Sequence, residues 1–380
     1  MSAVTTTTPN AFDDAPLPPL ASPRTLLWRR FRRHRLALFS LWLVGLIYLV
    51  AILGDFLAPM DPQGTNVRNT FQPPQALHLL SPPDAEGKRS LFYVHPMKMQ
   101  LDREKGRRTY VPDDSKIVPL GFFVKGHSYR FLGLIETNRH FFGAKSPRDK
   151  VFLLGADRLG RDILSRIIAG TRVSMSIGLV GVAVSLVIGV ALGGISGYYG
   201  GWADTLIQRL IEFLRSVPTI PLWMGLAAAI PLDWPPLRTY FVVTVIVSMI
   251  GWTSLAREVR GKFLSLRSED YITAARLDGL SDWQIILRHM VPGFASHIIA
   301  SLTLAVPLMI LAETSLSFLG IGLQPPQISW GTLLKEAQNI RTIIEAPWLL
   351  IAPGTAIVIA VLALNFLGDG LRDAADPNAH

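Results

Sequence analysis

Residues 173–203 read VSMSIGLVGVAVSLVIGVALGGISGYYGGWA, 31 positions without a single Asp, Glu, Lys or Arg. The hydrocarbon core of a bilayer is about 30 Å thick, and about 20 apolar residues in helical form cross it. This stretch is long enough to span, and the rest of the chain repeats it. Charge-free runs occur at Leu36–Gly54 with 19 residues, Thr239–Ala256 with 18, His289–Ala312 with 24 and Ala346–Gly368 with 23. A sixth, Ser216–Leu232, has only 17 residues and follows an amphipathic stretch that extends it. One such run would fit a buried soluble helix; six in one chain fit membrane spans. The expected fold is therefore an all-α polytopic membrane protein with six transmembrane helices. They are placed at 36–57 and at about 172–198, 203–232, 238–258, 293–318 and 346–368.

Composition agrees. Of 380 residues, 49% are hydrophobic and 17% charged, against about a quarter charged in soluble domains, and the mean hydropathy is +0.34. This excludes a disordered chain and argues against a soluble enzyme. Cysteine is absent, which excludes disulfides, thiolate metal sites and cysteine nucleophiles.

Basic residues near span ends set orientation. Arg24, Arg29, Arg30, Arg32, Arg33 and Arg35 precede the first span and mark residues 1–35 as a cytoplasmic basic tail, a cluster also suited to anionic lipid. Its first 23 residues, with a Thr run and five prolines, read as disordered. Residues 24–54 lack the small-residue cleavage site of a signal peptide and read as a retained span. Six spans return the C-terminus, 369–380, to the cytoplasm. The 259–292 loop then lies inside, where Arg257, Arg260, Lys262, Arg267, Arg276 and Arg288 fit the rule. The loop with only Lys335 and Arg341 lies outside.

Residues 58–171 form an extracytoplasmic insert of 114 residues, with 10 prolines, 18 basic and 11 acidic side chains. Phe122–Val124 and Tyr129–Ile135 read as short strands. Asp162–Ala169 reads as a helix leading into the second span, with Arg158, Arg161, Asp162 and Arg166 facing solvent or headgroups. His78, His95, His127 and His140 show no metal-ligand spacing. No G-x-x-x-x-G-K-[ST], H-E-x-x-H or G-x-S-x-G is present, so neither a P-loop nor these hydrolase sites are expected. Intramembrane ionisable groups are few, His297 and Glu313 among them, which is poor provision for ion-coupled transport. Uphill transport would draw its energy from another chain.

The 268–292 loop reads as two short helices. Ser268 would cap the first, with Glu269 and Asp270 in its opening turn. Gly279 sits where a left-handed C-terminal residue is wanted, and Ser281-x-x-Gln284 is a capping box for the second. Ala274 and Ala275 offer a small-residue face to an approaching surface. Gly189, Gly193 and Gly197 recur every four residues in the second span, a spacing for close helix contact. Pro218, Pro221, Pro307 and Pro353 favour kinks.

These residues carry a resemblance. Ala274-Ala275-x-x-x-Gly279-x₁₂-Pro292 resembles the EAA loop of ABC importer permeases, E-A-A-x₃-G-x₉-I-x-L-P, with Thr273, His289 and Val291 in place of Glu, Ile and Leu. Leu154-Gly-Ala-Asp-Arg-Leu-Gly-Arg-Asp-Ile-Leu-Ser-Arg166 resembles the L-G-T-D-x-x-G-R-D-x-x-S-R signature of the dipeptide/oligopeptide branch. Residues 311–326 with Ser329-Trp-Gly331 resemble its exit from the fifth span, and the basic segment with the first span resembles its C-type subunit. The resemblance covers roughly 24–375 outside most of the insert.

It implies the fold of a type I ABC importer permease and a bacterial inner-membrane subunit of an ATP-driven importer for peptides. This subunit is not an enzyme, needs no cofactor or metal and does not bind nucleic acid. Its implied partners are a second permease with which it forms the pore, two cytosolic ATPase domains, an extracytoplasmic substrate-binding protein and membrane lipid. Thr273, Ala274, Ala275, Gly279, Ser281, His289 and Pro292 are the implied ATPase-coupling residues. Gly155, Asp157, Gly160, Arg161, Asp162, Glu313, Gly320, Pro325, Trp330 and Gly331 are the family-signature residues. The alternatives are the same class with another cargo (nickel chelate, glutathione, oligosaccharide), a stand-alone secondary carrier, or a peptidoglycan-facing structural protein.

Overall fold

Helix α4, Ile163–Tyr199, runs unbroken for 37 residues through the stretch quoted above. At 1.5 Å per residue it is about 55 Å long, nearly twice a bilayer core. In this computed structural model, which describes residues 23–83, 89–102, 107–231 and 233–375, α4 is the central post. Asp162 caps its start, accepting from the Ser165 amide at 2.8 Å. The helix foreseen at 162–169 is thus its first turns.

Around it stand α1 (Pro23–Arg33), α2 (Arg35–Ile52), α3 (Gly54–Leu57), α5 (Gly201–Ser216), α6 (Thr219–Ala228) and α7 (Pro236–Leu266). These are followed by α8 (Asp270–Leu277), α9 (Asp282–Ile285), a π-turn at Ile286–Met290 and α10 (Val291–Gly293). The chain closes with α11 (Ala295–Phe318), α12 (Trp330–Glu336), α13 (Ile340–Glu345) and α14 (Trp348–Ala375).

Five of these, α2, α4, α7, α11 and α14, are long and apolar enough to cross a membrane. The expected third span is not one helix. Val217 is extended (φ −86°, ψ 131°) before Pro218, because a proline ring disfavours helix in the preceding residue. Amphipathic α5 therefore ends there, and α6 adds only ten residues. Neither is long and apolar enough to cross by itself, so five spanning helices stand where six were expected; α5 starts where α4 ends, and Ala227 of α6 lines a cavity with Gly320–Gln327, beyond the far end of α11.

Other bounds also move. The first span stops at Ile52, and α3 is a separate turn. Helix α7 continues eight residues past the expected 258, and α14 continues to Ala375 through most of the expected tail. Residues 1–22 and 376–380 lie outside the described residues.

Gly189, Gly193 and Gly197 all face α7. A Cβ on Gly193 would lie 2.5 Å from the Ala256 carbonyl, and one on Gly197 2.6 Å from Phe263 Cβ. The two backbones therefore meet directly, as the four-residue spacing implies. Buried Met175, Val182, Val243, Met309, Ile310, Ala360 and Leu364 knit α4, α7, α11 and α14 into one core. Pro307 and Pro353 lie inside α11 and α14.

Ahead of α4, the described residues of the insert form strands and one 3-10 turn at Val67–Asn69. The insert holds a four-stranded antiparallel sheet, β1 (His78–Leu79), β2 (Phe92–Val94), β5 (Val118–Phe131) and β6 (Ile135–Ala144), in the order β1-β2-β5-β6. A separate ribbon pairs β3 (Met97–Asp102) with β4 (Arg107–Pro112). The two strands expected at 122–124 and 129–135 belong largely to β5, whose register slips between Lys125 and Tyr129. Val94, Val118, Leu120 and Val151 form the sheet's own core. The histidines meet in pairs, His78 with His95 (ring centroids 5.2 Å apart) and His127 with His140 (4.3 Å). Among the described residues no three His, Asp or Glu gather as a metal site.

Candidate functional site

The α8–α10 loop hangs from the end of α4 opposite the insert. Its first helix begins one residue later than expected. Glu269 takes the N-cap position, and the Ser268 hydroxyl instead donates to the Ser265 carbonyl at 3.1 Å. Its end follows the sequence reading. Gly279 has φ +78°; its amide donates to the Arg276 carbonyl at 3.0 Å and the Leu280 amide to the Ala275 carbonyl at 3.2 Å. That is a Schellman closure with glycine in the left-handed position. Ser281 then starts α9, its amide donating to Gln284 Oε1 at 2.9 Å.

The loop has two faces. Ile272, Ala275, Ile285, Ile286 and Met290 are buried against Tyr198, Val259, Phe263 and Phe294. Ala275 thus serves the inner packing, and of the expected small-residue face only Ala274 is exposed, with Thr273 beside it. The outer face is more apolar than its sequence position implied: Leu277 is 84% exposed, and Tyr271, Trp283 and Leu287 stand out beside it. His289 is half-buried and Pro292, inside α10, is exposed.

Polar bonds fix the loop to α4. Asp282 accepts from the Tyr198 hydroxyl at 2.7 Å and the Tyr199 hydroxyl at 3.0 Å. The Arg276 guanidinium lies 5.0 Å from the Tyr198 ring centre. Sequence reading missed this tie, since Asp282 and Tyr198 are 84 positions apart and Asp282 occupies an unspecified position of the loop pattern. Nearby, Arg260 of α7 grips Asp204 of α5 through two 2.6 Å bonds.

The signature residues gather at the other end, in two knots. In the first, buried Asp157 accepts from the amides of Leu159 (2.8 Å) and Arg161 (3.0 Å) and from Arg161 Nε at 2.6 Å. Arg161 and Arg166 both reach Glu336 of α12, at 2.9 and 2.8 Å. Arg166, expected to face headgroups, is 2% exposed; its charge is spent on Glu336, a partner 170 residues away. Gly155 (φ +80°) and Gly160 (φ +71°) shape this turn, and a Cβ on Gly160 would run into the Asn66 carbonyl. Asp162 lies fully buried beside it, and burial pushes its carboxyl up to about 6 against the hydrogen bonds from Ser165.

In the second knot, fully buried Glu313 of α11 accepts from the hydroxyls of Ser317 and Ser329, both at 2.7 Å, and of Ser174 at 3.5 Å. The Trp330 amide donates to Ser174 Oγ at 3.1 Å. Gly331 lets α12 approach, for a Cβ there would sit 2.8 Å from Thr314 Cα. Glu313 is thus the hub of a junction between α4, α11 and α12. Gly320 (φ +82°) follows α11. With Pro325 it lines a cavity of about 390 Å³ shared with Ile230 and Trp234.

A larger cavity, about 760 Å³, opens along α6, α7 and α11. Trp223, Val247, Gly251 and Leu308 give it apolar walls; Glu258 and His297 bring ionisable groups. Ser301 donates to Glu258 at 2.6 Å.

Residues 189–380 match the family model described as binding-protein-dependent transport system inner membrane component. Residues 22–74 match that of the N-terminal TM domain of oligopeptide transport permease C. A dipeptide transport system permease protein of Lactococcus lactis is 30% identical over 93% of this chain and 90% of its own length. An oligopeptide transport system permease protein of Haemophilus influenzae is 37% identical over 64% and 75%. A glutathione transport system permease protein of Pectobacterium atrosepticum reaches 43% over 59% and 72%. Subunits of this kind are multi-pass inner-membrane transport components, not enzymes, and work with ATPase and further permease subunits. Spans around a glycine-packed post, a tethered loop at one end and the signature knots at the other belong together: the chain is a member of the ABC importer permease family, the binding-protein-dependent inner-membrane components.

Proposed function

We infer that this chain is the C-type permease of a peptide importer and that its α8–α10 loop is the seat for a cytosolic ATPase. The observation that carries the reading is the two-faced loop. Leu277, Tyr271, Trp283 and Leu287 offer apolar surface outward, while Ile272, Ala275 and the Asp282–Tyr198 bond hold the inner face to α4 and α7. A push on such a loop passes to the spans instead of being absorbed by slack. The ATPase-coupling residues are then Thr273, Ala274, Gly279, Ser281, His289 and Pro292, with Ala275 serving from the buried side. The loop, both termini and residues 1–35 face the cytoplasm, and the insert faces outside.

The cavity along α6, α7 and α11 is this chain's half of the translocation path, closed by a second permease. Peptide cargo is supported by relatives whose names specify dipeptides and oligopeptides; glutathione is itself peptide-like. The insert, with 18 basic against 11 acidic side chains, receives the substrate-binding protein, and its net charge of +7 steers an acidic partner. Reconstitution tests the whole reading. Peptide uptake should require ATP, the ATPases and a second permease; uptake by this chain alone on an ion gradient would overturn it.

A further inference from the structure

The β5–β6 hairpin ends in Phe131-Leu-Gly-Leu-Ile135, an apolar tip where a soluble hairpin carries Asn, Asp or Gly. Leu132 holds φ +51° and Gly133 φ +74°. A leucine in the left-handed region costs backbone energy that Asn or Gly would largely avoid, so the turn gains nothing locally from being apolar. Nor does it gain from packing: Leu134 is 83% exposed, Ile135 65% and Leu132 54%.

The root of the hairpin lies where a span leaves the membrane. Phe123 and Phe141 pack on Phe56 of α3, with ring centroids 6.1 and 5.9 Å apart. Helix α3 starts two residues after α2 ends. Arg172 fixes that level on α4, donating to the Ala51 carbonyl at 3.0 Å and pairing with Asp55 at 2.8 Å. Gly126 and His127 line a cleft with Pro59, Met60 and Asp61, the residues that follow α3, and Tyr129 stands next along the strand, its hydroxyl donating to the Arg139 carbonyl at 2.7 Å. The tip begins two residues beyond Tyr129, about 7 Å along the strand.

Below α3, Phe39, Trp42, Leu46 and Leu49 of α2 are exposed, a face that only lipid or another span covers. The aromatic root continues that face outward. Four basic side chains (Lys125, Arg130, Arg139 and Lys145) and one acidic (Glu136) lie on the hairpin between 118 and 145. Aromatic rings beside basic groups at a membrane boundary suit the headgroup layer.

We propose that the hairpin tip, Leu132, Leu134 and Ile135, is buried in the lipid leaflet at the α3 end of the spans, anchoring the insert to the membrane surface. Anchored at its root and its tip, the sheet keeps a fixed tilt over the spans. This does not depend on which side of the membrane the insert faces, so it stands or falls apart from the importer reading.

The chain has no cysteine, so one nitroxide can be placed at will. Leu134→Cys and, separately, Ile135→Cys would be labelled in the full chain, purified with its accompanying subunits into phosphatidylethanolamine/phosphatidylglycerol nanodiscs. The signal of the unsubstituted complex is subtracted, and Asp114→Cys, on the exposed turn after β4, serves as the aqueous reference. For both tip labels the ratio of O2 to nickel-chelate collision rates should exceed the reference several-fold. A ratio equal to the reference puts the tip in water and overturns the proposal. Shielding from both quenchers means that protein covers the tip, and overturns it equally.

Discussion

Replacing Gly279 with Leu isolates the coupling loop from every other part of the molecule. No heavy atom lies within 4 Å of where its Cβ would be, so the substitution creates no clash. Its effect is the backbone: at φ +78° a β-carbon costs roughly 1–2 kcal/mol. In the undocked subunit the loop escapes this by leaving the left-handed region. That gives up the Leu280–Ala275 closure and swings Ser281 and α9 away from Tyr198. Docking must restore the present geometry, so the strain reappears as lost affinity for the ATPase, about 5–30-fold. Membrane insertion and span packing are untouched. Affinity would be measured between the reconstituted permease pair and the isolated ATPase, with ATP-dependent uptake alongside. Gly279→Asn is the control, because Asn tolerates the left-handed region and should retain most of the affinity. Equal binding by the Leu and Asn variants would refute the reasoning, showing either that the loop docks in another conformation or that it is not the seat.

Three further outcomes follow from the geometry. The Asp162 carboxyl sits higher in the folded state, at about 6, than its ordinary 3.8, so folding favours its proton. Its stabilisation is full below about pH 4 and is lost as pH rises to 6, an effect of about 3 kcal/mol. The Tm of the wild type relative to Asp162→Asn, which keeps a capping side chain, should therefore rise between pH 7 and 4, and a flat difference would refute it. Gly197→Ala puts a Cβ 2.6 Å from Phe263 Cβ and 2.8 Å from the Arg260 carbonyl. It should cost about 1–3 kcal/mol by overpacking in detergent thermal melts, whereas Gly45→Ala, with open space, should cost nothing. Finally, Gln75 and Phe152 are joined by hydrogen bonds of 2.9 and 2.6 Å. Excising 77–150 across a short Gly-Ser bridge should therefore leave the Asp157–Glu336 knot and ATPase association intact, while uptake falls and the binding protein no longer stimulates ATP hydrolysis. Undiminished uptake would exclude the insert as the binding-protein platform.

Features that depend on local chemistry are legible in the chain alone. A helix that crosses lipid needs about 20 apolar residues, so α2, α4, α7, α11 and α14 are legible as runs without Asp, Glu, Lys or Arg. Gly279 and Ser281–Gln284 are legible because caps are contacts over three to six residues. The Gly189, Gly193 and Gly197 spacing foretold a close face, though not that α7 would fill it. Contacts between distant segments set the rest. Pro218 ends α5 inside the expected third span, and only packing shows that α5 stands as a helix of its own, burying Ile207 and Ile211 against Trp252 and Ala256. Pieces of β5 were legible in the insert, but the other strands were hidden because a sheet's hydrogen bonds join distant segments, and proline-broken, basic sequence gives little alternation to read. Arg166 read as a headgroup-facing charge until folding brought Glu336 to it. Asp282 was an unremarked acid in a first turn until Tyr198 and Tyr199 came within bonding distance. A charge's role depends on the partner that desolvation forces upon it, and that partner is set by packing, not by neighbours in the chain.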